Sequence, residues 1–268
     1  MSFSRSRPAS VAAATLLLAC VAGCGPAPFT AVSVPRSRLL EGLLAHWPFD
    51  ETSGTTVKDH SGNGHDGQFF PNTAGATGGW VTGGRFKGGL HLASGDTVTI
   101  TNFPQATPDW TVSVWIKLTE MDVEAFPPSR SVVLSAELPS MGGWEFEFDP
   151  RPGFHWLEAS YFVTTPANDY VVLDCKCIET DRWLHFTAVF DSTSTHPQIS
   201  LYHDDMLVDH TELPEPIRPG ATDLTIGHWA GSSLRPISGI IDDYAIWTRA
   251  LNADEVAAIN AQAVPDSP

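Results

Sequence analysis

The stretch Trp110-Thr111-Val112-Ser113-Val114-Trp115-Ile116-Lys117-Leu118 decides the fold. Trp110, Val112, Val114, Ile116 and Leu118 recur with period two, so they share one face of an extended strand. The pattern continues outward in both directions. Before it, residues 46–49, 67–70, 90–92 and 97–100 read as short strands. After it come 131–136, 144–148, 155–161, 170–178, 183–190, 198–203, 206–213, 224–227 and 239–247. Gly, Pro, Asn and Asp punctuate these runs, in a chain with 22 glycines and 21 prolines. Many short strands with no long helical stretch predict an all-β sandwich or jelly roll, as one domain over residues 41–263 with a tail at 264–268. One short helix is expected near the end. Asn252 can cap it, Glu255 can reach back as in a capping box, and Asp254 and Glu255 suit its positive end. Val256 and Ile259 share a face of that helix, which is expected to pack on a sheet edge.

Composition limits the function classes. The 268 residues carry 15 Lys+Arg against 31 Asp+Glu, a formal net charge of −16. No broad basic face can form, which argues against a nucleic-acid partner and against adsorption of the domain to an anionic membrane. The hydrophobic fraction of 42% suits a sizeable core. Four cysteines are too few for a disulfide scaffold of this length.

The first residues read as an address. Arg5 and Arg7 precede an apolar run from Val11 to Ala22, shorter than the about 20 residues that span a bilayer. Val21-Ala22-Gly23-Cys24 resembles the lipobox of bacterial lipoproteins. That resemblance implies a signal peptide over 1–23, an acylated Cys24 and a Pro-rich tether over 24–40. Arg36 and Arg38 of the tether are expected near lipid headgroups. Leu17-Leu18-Ala19-Cys20 is a poorer second candidate, and an ordinary secretory signal is the alternative. Gly25 after Cys24, by resemblance to enteric lipoproteins, implies an outer-membrane location in a bacterial cell envelope, with the membrane reached through the lipid anchor only.

Five segments, in order, resemble the laminin G-like domains of the concanavalin A-like lectin/glucanase jelly rolls. The first is Gly42-Leu-Leu-Ala-His-Trp-Pro-Phe-Asp-Glu51, followed by the glycine-rich Asp59 to Gly67. The second is Gly84-Arg-Phe-Lys-Gly-Gly-Leu-His-Leu92, running on to Gly95-Asp-Thr-Val-Thr-Ile100. The third is Trp110 to Lys117. The fourth joins Trp183 to Asp191 with Ile199 to Val208, and the last is Gly239-Ile-Ile-Asp-Asp-Tyr-Ala-Ile-Trp-Thr-Arg-Ala-Leu251. The chain departs from the family's pattern at the hairpin tip, where Asp205 replaces a usual glycine, so that turn is expected to be strained or longer.

The resemblance implies a concanavalin A-like jelly roll and a structural calcium, which joins an N-terminal strand to the last strand. Asp50 and Asp242 occupy the matching positions. Calcium takes six to eight oxygens. Asp242 and Asp243 should point to opposite faces of a strand, so only one can face the ion. An unpaired carboxylate among Ile240, Ile241 and Ile246 is costly, and a cation, a turn, or Arg85 or Arg249 could relieve it.

Other constellations have a bland and a sharp reading. Glu145, Glu147 and Asp149 share a strand face, and adjacent carboxylates can act as acid and nucleophile in glycoside hydrolysis. A solvated acidic face explains them more simply. Cys175 and Cys177 share a face about 6.5 to 7 Å apart at Cα, the outer limit for a disulfide. An exported compartment favours oxidation, and both states stay open. His185 reads as a hydrogen-bonded structural residue. Trp80 and Trp229 lie in Gly-rich, loop-like segments and are the candidate ligand-binding aromatics. The expected function is a non-catalytic binding or adhesion module on the cell envelope, recognising carbohydrate or an extracellular protein. The alternatives are a glycan hydrolase using Glu145 and Glu147, and a structural envelope component.

Overall fold

The computed structural model describes residues 33–72, 78–93, 95–104, 108–118, 131–135, 144–149, 156–162, 170–175, 179–192, 197–212, 223–227 and 238–267. Of these, 131–135, 144–149, 156–162 and most of 170–175 are described as backbone only. The signal segment with Cys20 and Cys24 lies outside the described residues.

A short helix α1 (Arg36–Leu40) leads into β1 (Leu43–Trp47), β2 (Thr56–Val57), β3 (Gly67–Phe70), β4 (Gly79–Val81), β5 (Gly89–Leu92), β6 (Thr97–Ile100) and β7 (Trp110–Leu118). Then follow β8 (Ser131–Ser135), β9 (Trp144–Asp149), β10 (Trp156–Phe162) and β11 (Tyr170–Cys175). The chain continues through β12 (Leu184–Asp191), β13 (Gln198–His203), β14 (Met206–Glu212), β15 (Leu224–Ile226), β16 (Gly239–Trp247) and helix α2 (Ala253–Ala261). Two antiparallel sheets result. The first runs β14-β13-β12-β7-β16-β5-β4, with β1 also paired to β16; the second runs β11-β10-β9-β8-β15-β6-β3-β2. This is the jelly-roll sandwich that the short alternating runs predict.

The period-two face of β7 supplies the core. Trp110, Val112, Val114, Ile116 and Leu118 are all buried there, with Leu184, Phe186 and Ala188 of β12 and Val98, Ile100, Leu224 and Ile226 of the other sheet. Burying each of the Val, Leu, Ile and Phe side chains among them stabilises the fold by about 1.5 to 3 kcal/mol. The opposite face of the first sheet is covered too. Val189, Ala245 and Trp247 meet Leu39 of α1 and Val256 and Ile259 of α2 in a second cluster.

That second cluster corrects two expectations. Helix α2 packs on a sheet face, not an edge, because Val256 and Ile259 bury against β12 and β16 near the middle of the sheet. Residues 33–40, expected in the tether, belong to the domain, since Ser33–Pro268 form one compact unit. Leu39 is fully buried, and its carbonyl accepts the Trp247 indole N–H at 2.7 Å. Arg38 pairs with Glu41 and Glu255, and Arg36 donates to the Asp266 carbonyl, so both serve the domain rather than headgroups.

The capping box forms. Asn252 Oδ1 accepts the Glu255 N–H at 3.0 Å, and the Glu255 carboxylate accepts the Asn252 N–H at 2.9 Å. At the hairpin between β13 and β14 the loop keeps two residues, and Asp204 takes the left-handed φ of 57° that a short turn requires. Asp tolerates that region, so no longer loop is needed.

Candidate functional site

The centre of the site is a break in β16. Residues 239–241 pair with β5, while 244–247 pair with β1. Between them the pairing with β7 slips by one residue, from Asp242 opposite Trp115 to Ala245 opposite Ser113. Asp243 absorbs the extra residue at φ 49°. The bulge cancels the period-two alternation at this point. Asp242 and Asp243 are both buried at 2% exposure and line one cavity of about 250 Å3, together with Asp50, His46, Lys87 and Asp266. The expectation that only one of the pair could face this corner therefore fails, and the cause is the bulge.

Each carboxylate at this corner has its own protein donors. Asp242 Oδ2 accepts the Phe86 N–H at 3.0 Å, and the Arg85 and Asp243 amides add to it. Burial still pushes its pKa up to about 7. Asp243 lies 2.7 Å from His46 Nε2 and accepts the Val264 N–H at 2.8 Å. Asp50 follows Phe49, a fully buried residue at φ 52° that turns the chain out of β1. Its Oδ1 accepts the Gly88 N–H at 2.9 Å, and its Oδ2 meets Lys87 Nζ at 3.0 Å. That hydrogen bond and the charge of Asp50 raise the Lys87 pKa above the usual lysine value.

The donor set at Asp50 and Asp242 fits calcium poorly. Calcium needs oxygens free to turn toward it. Here an ammonium already neutralises Asp50 and amide N–H groups hold Asp242. Among the described residues no three His, Cys, Asp or Glu side chains converge as a metal site. The structure brings Asp50 and Asp242 to one cavity, as the resemblance implies, but as the anchor of the 84–88 loop.

Glycines make that anchor possible. A Cβ on Gly84 would lie 1.4 Å from the Gly88 carbonyl oxygen and 2.8 Å from Asp242 Oδ2. A Cβ on Gly88 would lie 2.9 Å from the Phe49 carbonyl.

Beside this corner lies a larger pocket of about 550 Å3, lined by Asp50, Glu51, Thr52, Trp80, Val81 and Lys87 among others. Trp80 is half-buried and sits on the edge strand β4, not in a loop as its Gly-rich setting suggests. Its indole N–H donates to the Gly54 carbonyl at 2.8 Å, and its ring packs 6.2 Å from Phe69. The ring is thus fixed in place. Glu51 Oε1 accepts the Lys58 N–H at 2.7 Å, while Oε2 is buried with no hydrogen-bond partner. A wall aromatic, an unsatisfied acceptor and an ion pair suit a polar ligand with a flat apolar face. The sequence pattern pointed to Trp80 but missed Glu51 and Lys87, which reach the pocket through the turn after β1 and the loop before β5.

Of the other candidates, Trp229, Cys24 and Cys177 lie outside the described residues. Cys175 is buried and disulfide-bonded. Glu145, Glu147 and Asp149 lie on β9, an interior strand between β8 and β10, with Glu147 opposite Glu158 in register. His185 is buried between strands. Its Nε2 lies 2.7 Å from Ser113 Oγ, its ring stacks on Trp115 at 4.7 Å, and burial lowers its pKa to about 3. It stays neutral and structural, as its place on the sheet suggests.

The comparisons agree with this architecture. A laminin G family model, described as the concanavalin A-like lectin/glucanases superfamily, matches residues 92–257. No curated protein matches the sequence significantly. Among solved structures, the receptor binding domain of botulinum neurotoxin D superposes with a TM-score of 0.61 at 13% identity, over 83% of this chain and 53% of that one. The binding domain of Paraclostridial Mosquitocidal Protein 1 gives 0.62 at 15% identity, over 83% and 52%. The botulinum neurotoxin serotype G binding domain gives 0.60 at 13%, over 82% and 50%. The chain spans about half the length of these structures, and at such identities the likeness is one of fold.

Proposed function

This chain belongs to the concanavalin A-like lectin/glucanases superfamily, and we propose that within it the protein is a non-catalytic binding module whose ligand is carbohydrate. The observation that carries this reading is the Trp80 pocket. A sugar ring offers an apolar face for the fixed indole and hydroxyl donors for the buried Glu51 Oε2. The neighbours are binding domains by their own descriptions, which supports binding over chemistry. We further infer display on the bacterial envelope, at the outer membrane, through an acylated Cys24. Changing Cys24 to Ser should move the protein out of the membrane fraction.

A second reading, an extracellular protein as ligand, is favoured by one feature. Met206, Leu207 and Val208 are exposed in a row on the edge strand β14.

The test is a polysaccharide panel with the full-length protein, scoring bound protein and released reducing ends. Binding that falls about ten-fold in Trp80→Ala, the size of one lost stacking contact, supports the reading. Binding unchanged by Trp80→Ala, or no binding to any glycan, overturns the assignment to this pocket.

A further inference from the structure

A second wall carries chemistry that neither the Trp80 pocket nor the core uses. Trp115 lies on β7 between Val114 and Ile116, which both bury in the intersheet core, so it projects from the sheet's other face. There Arg85, Trp115, Trp183, Asp204 and Asn260 line a hollow of about 450 Å3.

Arg85 is unusual in this chain. Asp and Glu outnumber Lys and Arg by 31 to 15. Arg38, Lys58, Lys87, Arg182 and Arg249 each reach a carboxylate. Among the described residues Arg85, like Arg36 and Lys117, reaches none. Its guanidinium instead lies 4.4 Å over the Trp115 ring and 5.1 Å over the Phe86 ring. Stacking holds the plane of the group and leaves its N–H edge unengaged, the geometry that takes a carboxylate in a two-pronged contact.

Two further polar atoms at this wall are unsatisfied. Trp115 Nε1 and Asn260 Oδ1 are both buried with no hydrogen-bond partner. The first can only donate and the second only accept. Leaving a buried donor or acceptor unmade is destabilising. A ligand with a carboxylate beside a hydroxyl would answer all three groups. Its carboxylate suits the guanidinium and the indole N–H, and its hydroxyl suits Asn260. Asp204, itself 3.7 Å from Arg182, lies at the same wall, and the C-terminal end of α2 there opposes further negative charge. One cation therefore balances one negative charge, which disfavours a doubly charged phosphate. Trp183 offers a flat apolar surface for a ring.

We propose that this hollow is a second binding site, and that it takes a uronic acid. It is independent of the Trp80 pocket, which is lined by different residues.

The test is calorimetric titration of the full-length protein with glucuronate, its neutral methyl ester, glucose and inorganic phosphate. Glucuronate is expected to bind at least about ten-fold more tightly than the ester or glucose, the scale of one charge-assisted hydrogen bond. Arg85→Gln should remove that preference. Arg85→Lys should keep the charge and still lose several-fold, because an ammonium lacks the fork. Arg85 is exposed, so both variants should unfold at the wild-type temperature. Trp80→Ala should leave glucuronate binding unchanged. Equal binding of acid and ester, stronger binding of phosphate, or wild-type affinity in Arg85→Gln overturns the proposal. Loss of glucuronate binding in Trp80→Ala but not in Arg85→Gln also overturns it, while leaving the Trp80 reading intact.

Discussion

The Asp242 carboxylate accepts the Phe86 N–H at 3.0 Å across the break in β16, and so ties the loop before β5 to the last strand. The acid is buried, and burial raises its pKa to about 7 from an ordinary 3.8. The folded state therefore binds its proton more tightly than the unfolded chain does. The stability this contributes is fully present below the unfolded value and is lost as pH rises toward 7. Asp242→Asn keeps an acceptor for the Phe86 amide without the charge. It should flatten the decline in urea midpoint between pH 4 and 7 and stabilise the protein at neutral pH. An unchanged pH profile would show that Asp242 does not govern this range.

Glu255 behaves in the opposite sense. Burial alone would raise its pKa, but hydrogen bonds from Arg249 and the Asn252 amide, with the charges of Arg249 and Arg38, hold it below the usual 4.5. Its stabilising effect is present above the unfolded value and is lost as pH falls through the lower folded one. Arg249 forks onto this carboxylate at 2.9 and 2.8 Å. Arg249→Ala leaves a buried charge with Arg38 as its remaining ion-pair partner, and should cost about 2 to 3 kcal/mol in chemical denaturation. The loss should shrink below pH 4, where the carboxylate is neutral in the unfolded chain.

Gly84→Ala forces a Cβ to within 1.4 Å of the Gly88 carbonyl oxygen, so the loop must move. The loop carries the Phe86 amide, Lys87 and Arg85. Thermal unfolding should drop by several degrees, as expected for a backbone clash of a few kcal/mol in a protein of this size. A wild-type midpoint would mean the loop is not anchored as described.

Exchanging calcium for a chelator should leave the thermal midpoint unchanged. Asp50 is neutralised by Lys87 and Asp242 is held by amides, so an added ion has no unanswered carboxylate pair to bridge. A rise of more than about 2 °C with calcium would indicate specific binding to the folded state.

The release of reducing ends tests the hydrolase alternative. None is expected from any glycan, and Glu145→Gln and Glu147→Gln should leave binding intact. Release abolished by either variant would reassign β9 as a catalytic strand.

Much of the fold was legible because its signals are local. The alternation at Trp110 to Leu118 identified the inner face of β7, and all five residues are in the core. Asn252 and Glu255 marked the start of α2 from their spacing, and both halves of the box form. Trp80 was legible as a ligand candidate, but its short strand was not, because three residues next to glycines carry no periodicity.

The sequence by itself determined the sandwich, its longer strands and the capped helix. Each depends on contacts between near neighbours or on a period of two. Only the tertiary structure decided the site. A one-residue bulge at Asp243 undoes the alternation and turns both acids into one cavity. It also decided that Leu39 belongs to the domain, and that Arg85 stacks on Trp115 rather than joining an ion pair among the described residues. These meetings join residues far apart in the chain, and they are set by which strands pair and where the pairing slips, which no local pattern encodes.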